Sequence, residues 1–187
     1  MQMEGNRMKR RTREAGFTLI EAAVAIVVLT IVVVGIASVF VSGLKVMGTS
    51  QDTFIAKEKA EEAIESVFAG RDDQNLTWSQ IVNVTGVPGA AGGVFLDGPQ
   101  DIKDPGPDGL VNTKDDGEEE YIVLPGPDGV YGTADDIQLP LYKFKREIRI
   151  RDAGIPNVSL RTLTVIITNS DTGAVIYQIQ TYISPYT

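Results

Sequence analysis

The sequence predicts an α+β fold: one long N-terminal helix, its first half suited to cross a membrane and its second half amphipathic, packed on a C-terminal antiparallel sheet with acidic Gly/Pro-rich loops between. Three observations predict it. An apolar run begins at Phe17 and lasts to Val41, and no proline interrupts the chain before Pro88. Period-two alternation of apolar and polar residues sets in only after Leu141. Between the two lie acidic repeats rich in Gly and Pro, which read as turns.

The first element is the apolar run. Its 25 residues reach about 37 Å at about 1.5 Å each, more than a hydrocarbon core of about 30 Å. Arg7, Lys9, Arg10, Arg11 and Arg13 precede it against Glu4 and Glu14. The positive-inside rule therefore leaves the N-terminus cytoplasmic and the rest exported. Thr18, Glu21, Thr30, Gly35 and Ser38 are the interruptions. Glu21 is the informative one, because an ionisable group inside a membrane costs about 2.5–3.5 kcal/mol on insertion scales and points to a partner. The plainer alternative is a carboxylate snorkelling to the interface. A secretory signal also runs from basic to apolar, and Ser42-Gly43 offers it small residues, but its apolar region is usually about 7–15 residues long. An uncleaved anchor is the other plain reading.

The basic leader, Gly16, then Phe17-Thr18-Leu19-Ile20-Glu21 and a long apolar helix resemble the type IV prepilin signal of type IV pilins and of type II secretion and competence pseudopilins. The resemblance implies that a prepilin peptidase/N-methyltransferase cuts after Gly16 on the cytoplasmic side and methylates the amine of Phe17. It also implies that residues 1–16 are a leader and 17–44 a retained transmembrane and assembly helix, with Thr18 and Glu21 at its assembly end. Cleavage would create an α-amino group of pKa about 7.7–8.0. In the family the glutamate at Glu21's place is thought to pair with that amine on a neighbouring subunit. Two departures stand out: the helix lacks the proline usual in major pilins, and the chain lacks cysteine and hence their C-terminal disulfide. Both lean toward a minor pilin or pseudopilin.

The second half of the helix is expected over 45–70. Phe54, Ala56, Ala60, Ala63, Ile64, Val67 and Phe68 recur at helical spacing, with Lys57, Glu58, Lys59, Glu61, Glu62 and Glu65 between them. Gly70 reads as the stop just past the helix. An apolar face for the sheet and a short coiled-coil seam are both compatible with this pattern.

Residues 71–140 read as irregular, with short strands and two acidic repeats. Trp78 and Ile81-Val82 are expected to cover the helix or the sheet. Pro105 to Asp116 recurs as Pro125 to Asp136, identical at eight of twelve positions. Where the copies differ, Asn112 faces Gly132, the residue types that best tolerate a left-handed backbone. From Asp97 to Asp136 there are twelve acidic residues against Lys103 and Lys114. Clustered carboxylates repel unless solvent or a cation compensates. Oxygen donors without sulfur or imidazole suit Ca²⁺, and Asp108, Asp115, Asp116, Asp128, Asp135 and Asp136 are the candidate ligands, although neither copy fits an EF-hand loop. Calcium would order a segment with no evident apolar core; solvated acidic turns are the alternative. By resemblance, pseudopilins hold calcium in acidic loops at this place in the chain.

The last element is a three-stranded antiparallel meander over 141–187. Tyr142, Phe144, Ile148 and Ile150 alternate with Lys143, Lys145, Glu147, Arg149 and Arg151, and two further β-rich segments follow polar turns. The basic row is a solvated strand face or a patch for an acidic neighbouring surface. Nucleic acid is not expected: of 17 basic and 25 acidic residues the leader takes five and two, which leaves the remainder strongly acidic.

Composition limits function further. The chain has no histidine and no cysteine, removing the commonest general base, thiolate sites and disulfides. No nucleotide fingerprint or nucleophile elbow is present, so no enzyme is expected. Asn75-Leu76-Thr77, Asn83-Val84-Thr85 and Asn157-Val158-Ser159 match the glycosylation acceptor pattern, which is short enough to arise by chance. Two functions are compatible. One is a subunit of a type IV pilus or type II secretion pseudopilus, held in the bacterial inner membrane with its head periplasmic or extracellular, partnered by other subunits and an assembly platform. The other is a membrane-anchored, calcium-dependent binding module outside any filament.

Overall fold

The computed structural model describes residues 18–86, 92–156 and 158–185. Helix α1 is Leu19–Asp72, followed by strands β1 (Gln100–Asp101), β2 (Tyr121–Leu124), β3 (Ile137–Pro140), β4 (Phe144–Asp152), β5 (Arg161–Asn169) and β6 (Val175–Ile183). Two compact units are distinguished, residues up to Gly48 and residues from Thr49.

The first unit is apolar helix. Its most hydrophobic stretch has none of its surface buried, and it is long and apolar enough to cross a membrane. A hydroxyl in such a stretch needs an internal acceptor, since lipid supplies none. Thr30 Oγ1 donates to the carbonyl of Ile26 (2.8 Å) and Ser42 Oγ to that of Ser38 (3.0 Å).

The second unit is a four-stranded antiparallel sheet in the order β1-β4-β5-β6, with β2 and β3 pairing as a separate hairpin. β4, β5 and β6 form the expected meander. β4 pairs with β5 from Phe144↔Asn169 to Asp152↔Arg161, and β5 with β6 from Arg161↔Ile183 to Thr168↔Val175. The fourth strand, β1, is two residues long, too short for any periodicity to reveal.

One core joins helix and sheet. Ile55, Ala56, Ala60, Ala63 and Val67 from α1 share it with Phe144, Ile148, Ile150, Leu163, Val165 and Ile167. The expected apolar stripe is largely the observed one, but Phe54 is 69% exposed and Ile55 takes the buried place beside Ala56. Alanines make up much of the buried stripe. Gly70 is not the helix stop. It lies inside α1 and is buried, and an added Cβ would sit 2.9 Å from Leu110 Cδ2 and 3.0 Å from Leu76 Cδ1. Its role is close packing; the chain turns at Gln74, with φ 58°.

β4 holds the largest departure from the expected pattern. Arg146 occupies an inward position between Phe144 and Ile148 and is fully buried, whereas Tyr142 is 65% exposed. Burial of a guanidinium is tolerable only if it is hydrogen-bonded and paired. Arg146 Nε donates to Asn112 Oδ1 (2.7 Å), and Nη1 lies 3.4 Å from Glu62 Oε1. Glu62 Oε2 accepts from Lys59 Nζ (2.6 Å), which also bonds Glu120 Oε1. Two cations thus meet two carboxylates between α1, β4 and the residue just before β2. Burial pushes the Glu120 carboxyl above its ordinary range, only partly offset by Lys59. Burial also works against the Lys59 ammonium, but its bonds to Glu120 and Glu62 outweigh that and hold its pKa above the usual value.

The irregular segment is not without apolar contacts. Phe95, Ile102, Leu110 and Val111 all reach the core. It also completes the free edge of β4 with side chains. Asn83 Nδ2 donates to the carbonyl of Ile148 (2.7 Å) while its Oδ1 accepts from Ile150 N (2.8 Å). Asn112 Nδ2 donates to the carbonyl of Arg146 (2.8 Å). Two asparagine amides thereby stand in for a neighbouring strand beyond β1. Trp78 packs on the core's margin, with the Arg161 guanidinium 4.1 Å above its ring.

Arg146→Ala leaves Glu62 and Glu120 with Lys59 as their one counter-charge in a partly buried site. A loss of about 3–5 kcal/mol is expected, measured by urea denaturation of the full chain in detergent, and Arg149→Ala on the exposed face should change stability little.

Candidate functional site

Two sites come from the sequence: the N-terminal motif and the acidic repeats. Gly16 and Phe17 lie outside the described residues. Thr18 precedes the first helical residue, and its Oγ1 accepts from Glu21 N at 3.3 Å. Thr18-Leu19-Ile20-Glu21 is thus an N-cap with the spacing of a capping box. Glu21 is the only ionisable residue between Thr18 and Leu44, and it is exposed on helix whose other large side chains are apolar, including Ile20 (72% exposed) and Val24 (56%). Among the described residues no side-chain partner is seen for its carboxylate.

A family model described as the prokaryotic N-terminal methylation motif matches residues 11–37. The N-terminus is a prepilin-type signal. The match covers residues 11–16 of the basic segment and most of the apolar run, and together with the apolar helix it supports a type IV pilin-like, single-pass membrane-anchored chain. No curated protein and no solved structure matches the chain.

The two acidic repeats are one turn built twice. In the first copy Gly109 N donates to the Gly106 carbonyl (3.0 Å), and in the second Gly129 N donates to that of Gly126 (3.0 Å). Asp108 Oδ1 accepts from Leu110 N (2.9 Å) and Asp128 Oδ1 from Val130 N (2.8 Å). Both are Asx turns, in which the side chain stands in for a backbone carbonyl. Asp116 Oδ2 accepts from Asn112 N (2.9 Å) and Asp136 Oδ2 from Gly132 N (2.7 Å). Thr113 Oγ1 donates to Asp115 Oδ1 (2.9 Å), Thr133 Oγ1 to Asp135 Oδ1 (2.6 Å). The left-handed demand is present in both: Asn112 has φ 60° and Gly132 φ 84°. Gly106 and Gly126 are required because a Cβ would fall 2.8 and 2.3 Å from the Asp115 and Asp135 Oδ2 atoms.

Each set of three aspartates folds its own turn, every carboxylate accepting from that turn's own backbone or threonine hydroxyl. The Thr133 hydroxyl, helped by the backbone N–H groups of Asp135 and Asp128, holds the Asp135 carboxyl below the usual range. Because that pKa is depressed, the stabilisation is present above the ordinary carboxylate range and is lost as pH falls through the lowered value. Their chemistry, oxygen donors only, fits calcium by type. Among the described residues, however, no three acidic side chains converge as a metal shell.

Sequence reasoning missed Asn112 and Arg146 as partners. The signal was there: a basic residue at an inward position of an alternating strand, and an asparagine where the second repeat has glycine.

Asp116→Ala should cost about 1–3 kcal/mol, because it strips acceptors from Asn112 N and Thr113 N in a partly buried turn. Asp136→Ala should cost less, since the exposed Gly132 N–H can turn to water. Paired urea midpoints of the two variants check the order.

Proposed function

We propose that the chain is a structural subunit of a type IV pilus or type II secretion pseudopilus, cut after Gly16, methylated on Phe17, and assembled through its N-terminal helix with other pilin or pseudopilin subunits at an inner-membrane platform. Glu21 carries this reading. A lone carboxylate on an otherwise apolar helix suits a mature N-terminus that supplies an amine four residues away in sequence, on the next subunit. Buried together, the two charges compensate; either alone is a charge without a partner. The orientation that follows from the basic leader puts the N-terminus in the cytoplasm and the sheet outside.

Mass spectrometry of the native protein should find a chain beginning with N-methylated Phe17. Glu21→Ala should still be processed and inserted yet enter filaments at least tenfold less. A native chain beginning at Met1 would instead support the anchored module outside any filament.

The acidic segment supports a second reading, that calcium occupies the repeats through Asp108, Asp115, Asp116, Asp128, Asp135 and Asp136. Charge favours it: twelve acidic residues and two lysines lie between Asp97 and Asp136. The first copy is already docked in the core, so the ion would contribute mainly to ordering the second. On this reading a chelator lowers the thermal midpoint and exposes the second repeat to protease, both reversed by calcium. Unchanged melting and proteolysis would remove calcium from the account.

A further inference from the structure

Three segments carry the N-x-S/T acceptor pattern, at Asn75, Asn83 and Asn157, and the fold separates them. Asn83 is 1% exposed. Both hydrogens of its amide are engaged, since Nδ2 donates to the carbonyls of Ile148 (2.7 Å) and Leu96 (3.2 Å). A substituent on that nitrogen would need space inside the core and would remove a bond that closes the edge of β4. Asn157 lies outside the described residues.

Asn75 is the opposite case. It follows α1 in a bend, directly after Gln74 with its left-handed φ of 58°, and it is exposed. The rest of its pattern holds the turn in place. Leu76 is buried, with its N–H on the Gly70 carbonyl (2.9 Å), while Thr77 Oγ1 donates to Gln80 Oε1 (2.7 Å) at the surface. The other described asparagine side chains all tie backbone: Asn83 and Asn112 that of β4, and Asn169 Oδ1 the N–H of Asp171 (3.0 Å). Among the described residues the Asn75 amide alone has no such task.

Charge separates the three segments as well. Asp73, two residues before Asn75, is exposed. Its neighbour Asp72 takes Arg71 (2.6 Å), and among the described residues Asp73 pairs with no cation. At the same place before Asn83 and Asn157 stand Ile81 and Ile155. A free carboxylate ahead of the acceptor offers a basic side chain of a modifying enzyme a charge-assisted bond. Exposed turn, unengaged amide, hydroxyl and carboxylate thus coincide at Asn75.

We propose that Asn75 is a glycosylation site, modified on the outer side of the membrane by a transferase that draws on a lipid-linked oligosaccharide pyrophosphate. In the transfer Asn75 Nδ2 bonds to the anomeric carbon of the sugar, and that carbon's bond to the pyrophosphate oxygen breaks. The amide proton passes to a base of the enzyme and the lipid pyrophosphate leaves; nothing is oxidised or reduced. Thr77 supplies the hydroxyl of the acceptor pattern and Asp73 the charged handle. The site rests on the orientation given by the filament reading, which puts this segment outside.

Mass spectrometry of the native protein, taken from the cells that normally make it, tests both. Cleavage after Arg71 and Lys103 releases residues 72–103, which hold Asn75 and Asn83 and no other acceptor. This peptide should be heavier than its sequence by whole sugar residues, with fragment ions placing them on Asn75. Asn75→Gln and Thr77→Ala should lose the sugar, Thr77→Ser should keep it, and Asp73→Ala should lower its occupancy. An unmodified Asn75, or a sugar on Asn83, overturns the proposal. The N-terminus in the same sample keeps the two readings apart. A chain starting at methylated Phe17 with Asn75 bare removes the glycan alone, and one starting at Met1 with Asn75 modified removes the filament reading alone.

Discussion

An apolar helix surface with a single carboxylate is the constraint on which the rest of the molecule depends. From Leu19 to Met47 the large side chains of α1 stand exposed, and water is the wrong medium for them. Lipid or the same face of neighbouring helices must cover them. Thr30 and Ser42 satisfy their own hydroxyls against the preceding turn, which leaves Glu21 as the one carboxylate between Thr18 and Leu44. In the second unit, by contrast, most of the apolar side chains of α1, β4 and β5 share one core.

How α1 is held against the sheet follows from a different balance. The buried side chains Ala56, Ala60 and Ala63 are small and supply little to specify its register. Lys59, Glu62, Glu120 and Arg146 supply it, since displacing the helix by a turn would strand buried charge. Asn112 ties this group to the first acidic repeat by donating to the Arg146 carbonyl and accepting from its guanidinium. The acidic segment is therefore part of the core's architecture at one repeat and an exposed projection at the other.

The α+β class was legible because proline placement and the switch from helical to two-residue period are long-range signals. So was the repeated turn, whose glycine and asparagine positions state a backbone demand directly. What escaped is what depends on a partner from far along the chain. Arg146 breaks the alternation of β4, and only Asn112, 34 residues away, accounts for a guanidinium at that inward position. Gly70 resembled a helix stop because local sequence cannot show Leu110 pressing on it. Phe54 and Ile55 exchanged places because a one-residue rotation is decided by the sheet and not by the helix. The different fates of the two repeats were invisible for the same reason: identity at eight of twelve positions fixes the turn but not where it docks.

The central claim is that Glu21 is half of an ion pair completed by the N-terminal amine of a neighbour. Solid-state NMR on filaments grown from mixed subunits measures it, with ¹⁵N at the Phe17 amine in one half of the population and ¹³C at the Glu21 carboxyl in the other. The account predicts a through-space contact between labels on different subunits, with amine nitrogen and carboxylate oxygen within about 4 Å. Filaments that form normally and show no such contact would contradict it.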